Sequence, residues 1–297
     1  LRRTRHWSPS PRRRGRTGLL PALEAVHPAA RDNVVRTAAL LRETRRLKFL
    51  VALRPGLVSP TITAQMASTY QRVSGGRLLV NIVTGGDDSE QWRFGDWVDK
   101  EGRYARTGEF LEILRGAWSD TPKDFEGEHY RVAGTTTHTV PDPTPPIFFG
   151  GASEAAERVA ARHADVYLTW GEPPGAVRDK VDWIRGLAAE RGRTVRFGIR
   201  LHTISRDTAD EAWAVANGLL DGISEEEIAK VHARTKTTES EGQRRMLELH
   251  GGSRDDLEVS PNLWAGVGLA RGGAGTALVG SHAEVADRIE EYAALGI

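Results

Sequence analysis

Short apolar runs alternate with amphipathic stretches along most of the chain, and this alternation predicts strands that are each followed by a helix. An apolar run bounded by Gly or Pro indicates a buried strand, whereas apolar residues three or four positions apart indicate one face of a helix. The predicted strands are 47–53, 77–85, 145–150, 165–170 and 196–204. Helices are predicted over 37–45, 61–73, 101–118, 153–162, 174–191, 207–221 and 283–295.

Strand-then-helix units follow one another, interrupted only by a small predicted hairpin over 125–132. Such alternation is typical of a parallel sheet, because each return to the same edge of the sheet requires a crossover helix. The chain has 297 residues, enough for one TIM-type barrel of about 250 residues. No Gly-x-Gly-x-x-Gly sequence follows the first strand, which disfavours a dinucleotide-binding fold. We therefore expect an α/β TIM (β/α)8 barrel, or a large part of one.

Two segments depart from this alternation. Residues 1–36 begin with many arginines and lack apolar periodicity, so we predict a disordered or appended segment ahead of a domain over 37–297. An arginine-rich start also resembles a weak export or transit signal, but Pro21 and Glu24 interrupt its short apolar run. The second segment, about 222–258, is too long and polar for a barrel loop. We interpret it as an inserted lid or, alternatively, as a surface helix hairpin without a gating role.

Composition excludes several classes of function. The formal net charge is +1, which argues against a nucleic-acid footprint over the whole chain. No cysteine is present, so disulfides, thiolate metal sites and cysteine nucleophiles are excluded. The nine histidines show no metal-binding spacing, and there is no Walker loop. Because no apolar run approaches the roughly 20 residues of a membrane span, we expect a cytoplasmic protein without a membrane partner.

Polar side chains near the ends of predicted strands mark a candidate site. Side chains alternate along a strand, so Arg200 and His202 are predicted to share a face, where burial is costly unless an anion meets them. An internal ion pair or a solvated strand end is the alternative. Trp170 ends the preceding strand, where parallel α/β folds place ligand walls. Asn81 and Thr84 could hydrogen-bond a ring system or simply cap a turn.

Two glycine-rich junctions are suited to anions. In Phe149-Gly-Gly-Ala-Ser153 a strand passes directly into a helix, so the amides of Ala152 and Ser153 would face a helix N-terminus that can hold a phosphate. A Gly-Gly turn with a serine cap is also common for structural reasons alone. Arg271, in the second junction, lies on a predicted flexible loop and could close over a sulfonate or phosphate. Together these features favour a phosphate-bearing cofactor and an anionic substrate.

Several of these segments resemble one enzyme family. They are Leu47-Lys-Phe-Leu-Val-Ala-Leu-Arg-Pro55, Asn81-Ile-Val-Thr-Gly85, Phe148-Phe-Gly-Gly151, Leu168-Thr-Trp-Gly-Glu-Pro-Pro174, Arg196-Phe-Gly-Ile-Arg-Leu-His202, Ser260-Pro-Asn-Leu-Trp-Ala-Gly-Val-Gly-Leu269 and Arg271-Gly-Gly-Ala-Gly-Thr-Ala-Leu-Val-Gly280. On these residues the chain resembles the FMNH2-dependent alkanesulfonate monooxygenases, which belong to the luciferase-like flavin monooxygenases. The resemblance runs from about Thr37 to Ile297 and implies that family's TIM-barrel fold.

The resemblance also implies an activity. Reduced FMN and O2 would oxygenate the carbon that carries a sulfonate, and the C–S bond would break to give an aldehyde and sulfite for sulfur acquisition. FMNH2 would come from a separate NAD(P)H-dependent FMN reductase, and the protein would be a homo-oligomer, since family members are often tetramers. By resemblance, the active-site positions are Trp170, Arg200, His202 and Arg271, the phosphate loop contains Ala152 and Ser153, and the flavin-side positions are Asn81, Thr84 and Tyr104.

The chain departs from the family pattern at both ends. Family members begin with two further strands that carry an active-site His and finish with a strand that carries an active-site Tyr, so we expect an incomplete barrel without them. Many relatives have His where this chain has Lys100. The alternatives to desulfonation are a flavin monooxygenase that acts on another organosulfur compound or an alkane, and an inactive fragment. A phosphosugar isomerase would need a catalytic Glu/His pair that the sequence does not support.

Overall fold

The computed structural model describes residues 32–236, 240–270 and 275–297. The strands are β1 (Phe49–Leu53), β2 (Leu78–Ile82), β3 (Lys123–Glu126), β4 (Arg131–Thr135), β5 (Ile147–Gly150), β6 (Val166–Trp170), β7 (Arg196–Arg200), β8 (His202–Arg206), β9 (Glu258–Ser260), β10 (Leu263–Trp264) and β11 (Ala277–Ser281). The helices are α1 (Asn33–Leu40), α2 (Pro60–Ser74), α3 (Asp88–Arg93), α4 (Lys100–Ala117), α5 (Glu154–His163), α6 (Pro174–Ala189), α7 (Ala209–Asp221), α8 (Glu225–Lys236), α9 (Glu241–His250), α10 (Val267–Ala270) and α11 (His282–Ala294).

The central sheet is parallel and contains β1, β2, β5, β6 and β7 in that order. Each strand lies beside the one before it in the sheet, which is the strand order of a TIM-type barrel. The β3–β4 hairpin is an antiparallel excursion between α4 and β5. Among the described residues the strands do not close into a cylinder. The prediction of an incomplete α/β TIM-type barrel is therefore confirmed.

The core lies where this sheet meets its helices, and the local sequence explains its elements. Helix α2 begins with the Ser59 hydroxyl accepting a hydrogen bond from the Ile62 N–H at 3.2 Å, and it ends at Gly75, whose φ of +65° favours glycine. Phe49 on β1 and Phe110 on α4 are almost completely buried in the main apolar cluster. Burying one such ring contributes about 2–3 kcal/mol to stability.

The predicted strand 196–204 is wrong as a single element, because it is broken at Leu201 into β7 and β8. Strand β7 pairs with β6, whereas β8 pairs in parallel with β11 in a second, mixed sheet of order β8–β11–β10–β9. The change of partner occurs where β6 ends. Gly171 lies so close to Leu201 and to Thr276, just before β11, that a side chain at residue 171 would collide with both. The hydroxyl of Thr276 donates to the Gly171 carbonyl at 2.6 Å and fixes this corner.

Further elements also differ from the sequence predictions, and β9, β10 and α10 are among those that were not predicted. Helix α1 begins at Asn33 rather than Thr37, because the Asp32 carboxylate caps it by accepting from the Val35 N–H at 2.7 Å. Helix α3 was predicted as loop, and β11 was not predicted as a strand. The prediction that residues 1–36 are disordered or appended is wrong at its end, since residues 33–36 form the first turn of α1; residues 1–31 lie outside the described part of the chain.

The polar segment 222–258 contains α8 and α9 and leads into β9. Helix α9 begins at a serine cap, where the Ser240 hydroxyl accepts from the Gln243 N–H at 3.4 Å. Whether this segment moves as a lid remains a prediction. None of the helices in the described ranges is both long and apolar enough to cross a membrane.

His163, at the end of α5, makes stability depend on pH. Burial, reinforced by the positive charges of Arg162, Arg115 and Arg193, lowers the pKa of His163 from 6.5 to about 3. Between pH 6.5 and about pH 3, His163 is protonated in the unfolded chain but neutral in the folded protein. The free energy of unfolding therefore falls as the pH falls through this range. From pH 7 to pH 5 we expect a loss of about 2 kcal/mol from this group.

Urea unfolding at pH 7 and pH 5 measures this effect. The variant His163→Gln should remove the loss, whereas the same change at the exposed His138 should leave it in place. Equal pH dependence in the wild type and in His163→Gln would contradict the prediction.

Candidate functional site

A cavity of about 550 Å³ opens at the carboxyl ends of β2, β5, β6 and β7. Apolar side chains on the strands or directly after them form much of its wall, namely Leu50, Ile82, Val83, Leu168, Ile199 and Leu201. In parallel α/β folds ligands bind at this end of the sheet, and cavities of about 300–1,000 Å³ hold small organic molecules. The size, position and lining therefore suit a ligand with a large apolar part.

Most of the predicted site residues meet at this cavity. Those that line it are Asn81, Thr84, Tyr104, Ala152, Ser153, Trp170 and Arg200. His202 does not line it, because the chain passes into the second sheet after Arg200, and His202 pairs with Ala277 of β11 there. Arg271 lies outside the described residues.

At one end of the cavity, α5 begins against the β5 strand end. The Ser153 hydroxyl caps α5 by accepting from the Ala156 N–H at 3.3 Å, and the Tyr104 hydroxyl lies beside the same corner, 3.5 Å from where a Cβ at Gly151 would be. Burial raises the pKa of Tyr104, although Ser153 and a nearby arginine oppose this, so the phenol stays protonated at neutral pH and can donate. A Cβ at Gly151 would lie 2.6 Å from the Cβ of Ala156, so no side chain can fill this corner.

A side chain on the neighbouring strand β6 anchors the backbone of this corner by a hydrogen bond. The Tyr167 hydroxyl donates to the carbonyl of Gly151. Two acidic residues, Glu154 and Glu157, occupy the first turn of α5, which stabilises the helix but places negative charge near the corner. Burial raises the pKa of Glu157, while the charges of Lys180 and Arg245 oppose it. The backbone amides at the N-terminus of α5 are the groups in this corner that suit a phosphate.

At the other end, Trp170 and Arg200 form a pair at the ends of neighbouring strands. The Arg200 guanidinium carbon lies 5.4 Å from the centre of the Trp170 ring, a cation–π distance. Glycines hold the indole on two sides, since a Cβ at Gly242 would lie 2.7 Å from Nε1 and one at Gly275 would lie 3.2 Å from Cε3. The indole is therefore closely packed by backbone on two sides, with the Arg200 guanidinium over its ring.

Two further parts of the cavity lie at positions that the sequence analysis named without placing them there, the predicted lid 222–258 and Lys100. The first turn of α9, Ser240 to Gln243, roofs the cavity, and a Cβ at Gly86 would lie 3.0 Å from the Ser240 Cβ. Lys100, in the first turn of α4, also lines it. The Ser-x-x-Gln pattern could have located the start of α9, but it carries no information on what that helix covers.

A buried charge cluster lies behind the Trp170 end. The Glu172 carboxylate pairs with the Lys180 ammonium, which also donates to the Thr169 hydroxyl at 3.3 Å. Arg245 of α9 approaches Glu172 at 3.6 Å, and it binds Glu241 in the cavity roof at 3.3 Å. This cluster joins β6, α6 and α9, and sequence reasoning did not identify it.

The arrangement as a whole suits a planar ligand with an anionic tail. The apolar wall can pack against a ring, Asn81 and Thr84 can hydrogen-bond its edge, and the α5 N-terminus can hold a phosphate. Arg200 provides a second anion-binding position at the end of β7. No group of three or more His, Asp or Glu side chains able to hold a metal ion is found in the described part of the chain.

Comparison with known proteins gives a family and a fold. The family model for luciferase-like monooxygenases matches residues 13–297, so the match begins ahead of Thr37, where the sequence resemblance starts. A structure of riboflavin lyase RcaE with modified FMN and riboflavin has a TM-score of 0.72 and 24% identity, covering 89% of this chain and 67% of that chain. Long-chain alkane monooxygenase LadA has a TM-score of 0.69 and 22% identity, with coverages of 90% and 67%.

A third solved structure is also similar to this chain. EDTA monooxygenase EmoA from Chelativorans sp. BNC1 has a TM-score of 0.70 and 20% identity, covering 89% of this chain and 71% of that chain. The present chain thus spans about two thirds of the length of these neighbours. At these identities the structural likeness shows the α/β TIM-barrel fold, in agreement with the strand order described above.

Proposed function

Because the chain belongs to the luciferase-like monooxygenase family, we propose that it is a flavin-dependent monooxygenase that uses FMNH2 and O2 to release sulfite from alkanesulfonates. One observation carries the sulfonate part of this proposal. The cavity is lined by the N-terminal junction of α5 at the end of β5 and by Arg200 at the end of β7, two strands away, together with an apolar wall. A phosphate-bearing flavin and an anionic substrate would need such an arrangement.

The residues present fit FMN. Its phosphate would bind at the Ala152 and Ser153 amides with the Tyr104 hydroxyl nearby, where Gly151 leaves room, and its ring would lie against the apolar wall near Asn81. The riboflavin lyase structure, which contains modified FMN, supports this choice of cofactor. When bound, reduced FMN would supply the electrons that activate O2.

Arg200 is the residue that favours a sulfonate over an alkane. Its planar guanidinium can donate two parallel hydrogen bonds to sulfonate oxygens, and it lies over the Trp170 ring. The α9 roof over the cavity would exclude water during the reaction.

Other parts of the proposal come from the family resemblance. They are a separate NAD(P)H-dependent FMN reductase as the source of FMNH2, a homo-oligomer and a cytoplasmic location. The same resemblance proposes catalytic roles for His202 and Arg271.

The test is a titration followed by turnover. The 297-residue chain is titrated with FMNH2 under anaerobic conditions while its fluorescence is recorded, and O2 is then added with octanesulfonate or with octane. Saturable binding and sulfite release would support the proposal. Oxidised octane without sulfite would favour the alkane alternative, and a chain that binds no FMNH2 would overturn the flavin assignment.

Ser153→Ala tests the proposed phosphate position. The Ser153 hydroxyl, which accepts from the Ala156 N–H, is still able to donate its own hydrogen to a phosphate beside the two amides. We expect the variant to bind FMN about tenfold more weakly, because this charge-assisted hydrogen bond is lost, and to bind riboflavin, which lacks the phosphate, as before. Equilibrium fluorescence titration measures both ligands. Ser59→Ala is the matched control, since it also removes the serine cap of a helix, α2, at a cost of about 1 kcal/mol. An equal loss of affinity in both variants would contradict the assignment.

A further inference from the structure

A second cavity, of about 590 Å³, adjoins the corner that would hold the flavin phosphate. It is formed largely by residues of α5, α6 and α9. Ala152, Ser153 and Glu241 line both this cavity and the proposed flavin site. Ser153 and Glu241 are only half-buried, so both present surface at the border between the two cavities. A group attached to a phosphate at Ser153 would therefore lie at the entrance of the second cavity.

An exposed tryptophan provides a flat wall in the second cavity. Trp183, on α6, lines it, and 49% of this residue is exposed. An indole ring packs well against another planar ring, and a nucleobase that stacks on an aromatic side chain is bound more tightly for it. Trp183 therefore suits a planar heterocycle. FMN carries no such group beyond its phosphate.

The charges of the second cavity disfavour a strongly anionic tail. Glu154, Glu157 and Glu241 line it together with the cation Arg245, so carboxylates outnumber cations among its described lining residues. Carboxylates repel further anions, but they accept hydrogen bonds from hydroxyl groups, as an acidic residue does from the ribose of a bound dinucleotide. A neutral sugar therefore suits this lining better than an acidic chain does.

Arg245 is placed to bind a second phosphate. Its Nε lies 3.3 Å from the Glu241 carboxylate and its Nη1 lies 3.6 Å from the Glu172 carboxylate. Nη2 takes part in neither ion pair, so its N–H groups can donate to a phosphate. Because Arg245 and Ser153 line the same cavity, two linked phosphates could lie between them.

A pyrophosphate, a ribose and a planar base are together what distinguishes flavin adenine dinucleotide, FAD, from FMN. We propose that the second cavity binds the adenosine of FAD, with the adenine against Trp183, an inference that rests on the proposed function. The flavin ring then occupies the same position as in FMN, and the protein binds FADH2 more tightly than FMNH2.

The experiment compares the two reduced flavins by anaerobic fluorescence titration. The wild type should bind FADH2 about tenfold more tightly than FMNH2. Trp183→Ala should lose this preference while it binds FMNH2 as the wild type does, and Trp183→Phe, which keeps a stacking ring, should retain part of it. Trp92→Ala is the matched control, because Trp92 is also 49% exposed but lines neither cavity. It should keep the full preference.

The outcomes separate this inference from the proposed function. A wild type that binds FADH2 no more tightly than FMNH2 would overturn the inference and leave the flavin assignment intact. A preference for FADH2 that survives in Trp183→Ala would overturn it too, since the adenosine would then bind elsewhere. A wild type that binds neither flavin would overturn both proposals. The comparison of flavins on the wild type needs no variant, so the inference stays testable even if Trp183→Ala does not fold.

Discussion

Glu172→Gln is expected to lower the free energy of unfolding by about 3 kcal/mol or more. The Glu172 carboxylate is 4% exposed and is paired with the Lys180 ammonium, which is itself buried. The substitution keeps the shape of the side chain but leaves Lys180 without its counter-charge, and the Thr169 hydroxyl at 3.3 Å is only a neutral acceptor. Urea unfolding at pH 7 measures the loss.

Two comparisons identify the cause of that loss. Glu154→Gln removes a carboxylate of an exposed pair with Arg158 at 2.6 Å and should change stability by no more than about 0.5 kcal/mol. The double variant Glu172→Leu, Lys180→Met removes both buried charges and should recover most of the lost stability, because apolar residues of similar volume replace the pair. Similar losses for Glu172→Gln and Glu154→Gln would contradict the buried-charge explanation.

The same cluster connects stability to the candidate site. Glu172 follows Gly171 directly after Trp170, and the Tyr292 hydroxyl donates to its carbonyl at 2.7 Å. Arg245 links Glu172 to α9, whose first turn roofs the cavity. Loss of the Glu172 charge therefore removes support from the Trp170 end and from the roof together, so flavin affinity should fall along with stability.

The parallel sheet and its helices could be predicted because their signals are local. Strand β2 is a short apolar run, and α2 has a serine and a proline at its start and a glycine at its end. The carboxyl ends of parallel strands meet at one edge of the sheet, so strand-end residues such as Thr84 and Trp170 could be placed together without knowing any contact.

The remaining features depend on contacts between residues distant in sequence. The break at Leu201 lies where Thr276 approaches Gly171, a contact that no pattern within 196–204 reveals. The placement of α9 over the cavity depends on its packing against Trp170. The second cavity is formed largely by residues of α5, α6 and α9, which meet only in the folded chain.

Arg200→Met is expected to lower kcat/KM for sulfite release by at least about 100-fold while FMNH2 binding changes little. The substitution removes two proposed charge-assisted hydrogen bonds to the sulfonate, each contributing about 1.5–3 kcal/mol. Arg200→Lys should recover part of the activity, because it keeps the charge but loses the planar fork. Sulfite assays over a range of octanesulfonate concentrations, with parallel FMNH2 titrations, measure both quantities.

Arg196→Met is the matched control, since it makes the same change on the same strand, β7, at an exposed position that does not line the cavity. It should leave sulfite release unchanged.

If Arg200 binds the sulfonate, the loss in Arg200→Met should appear mainly as a raised KM; if it acts on the oxygen derived from O2, kcat should fall instead. Unchanged sulfite release in Arg200→Met would show that the anion binds elsewhere, and the case for a sulfonate over an alkane would lose its main support.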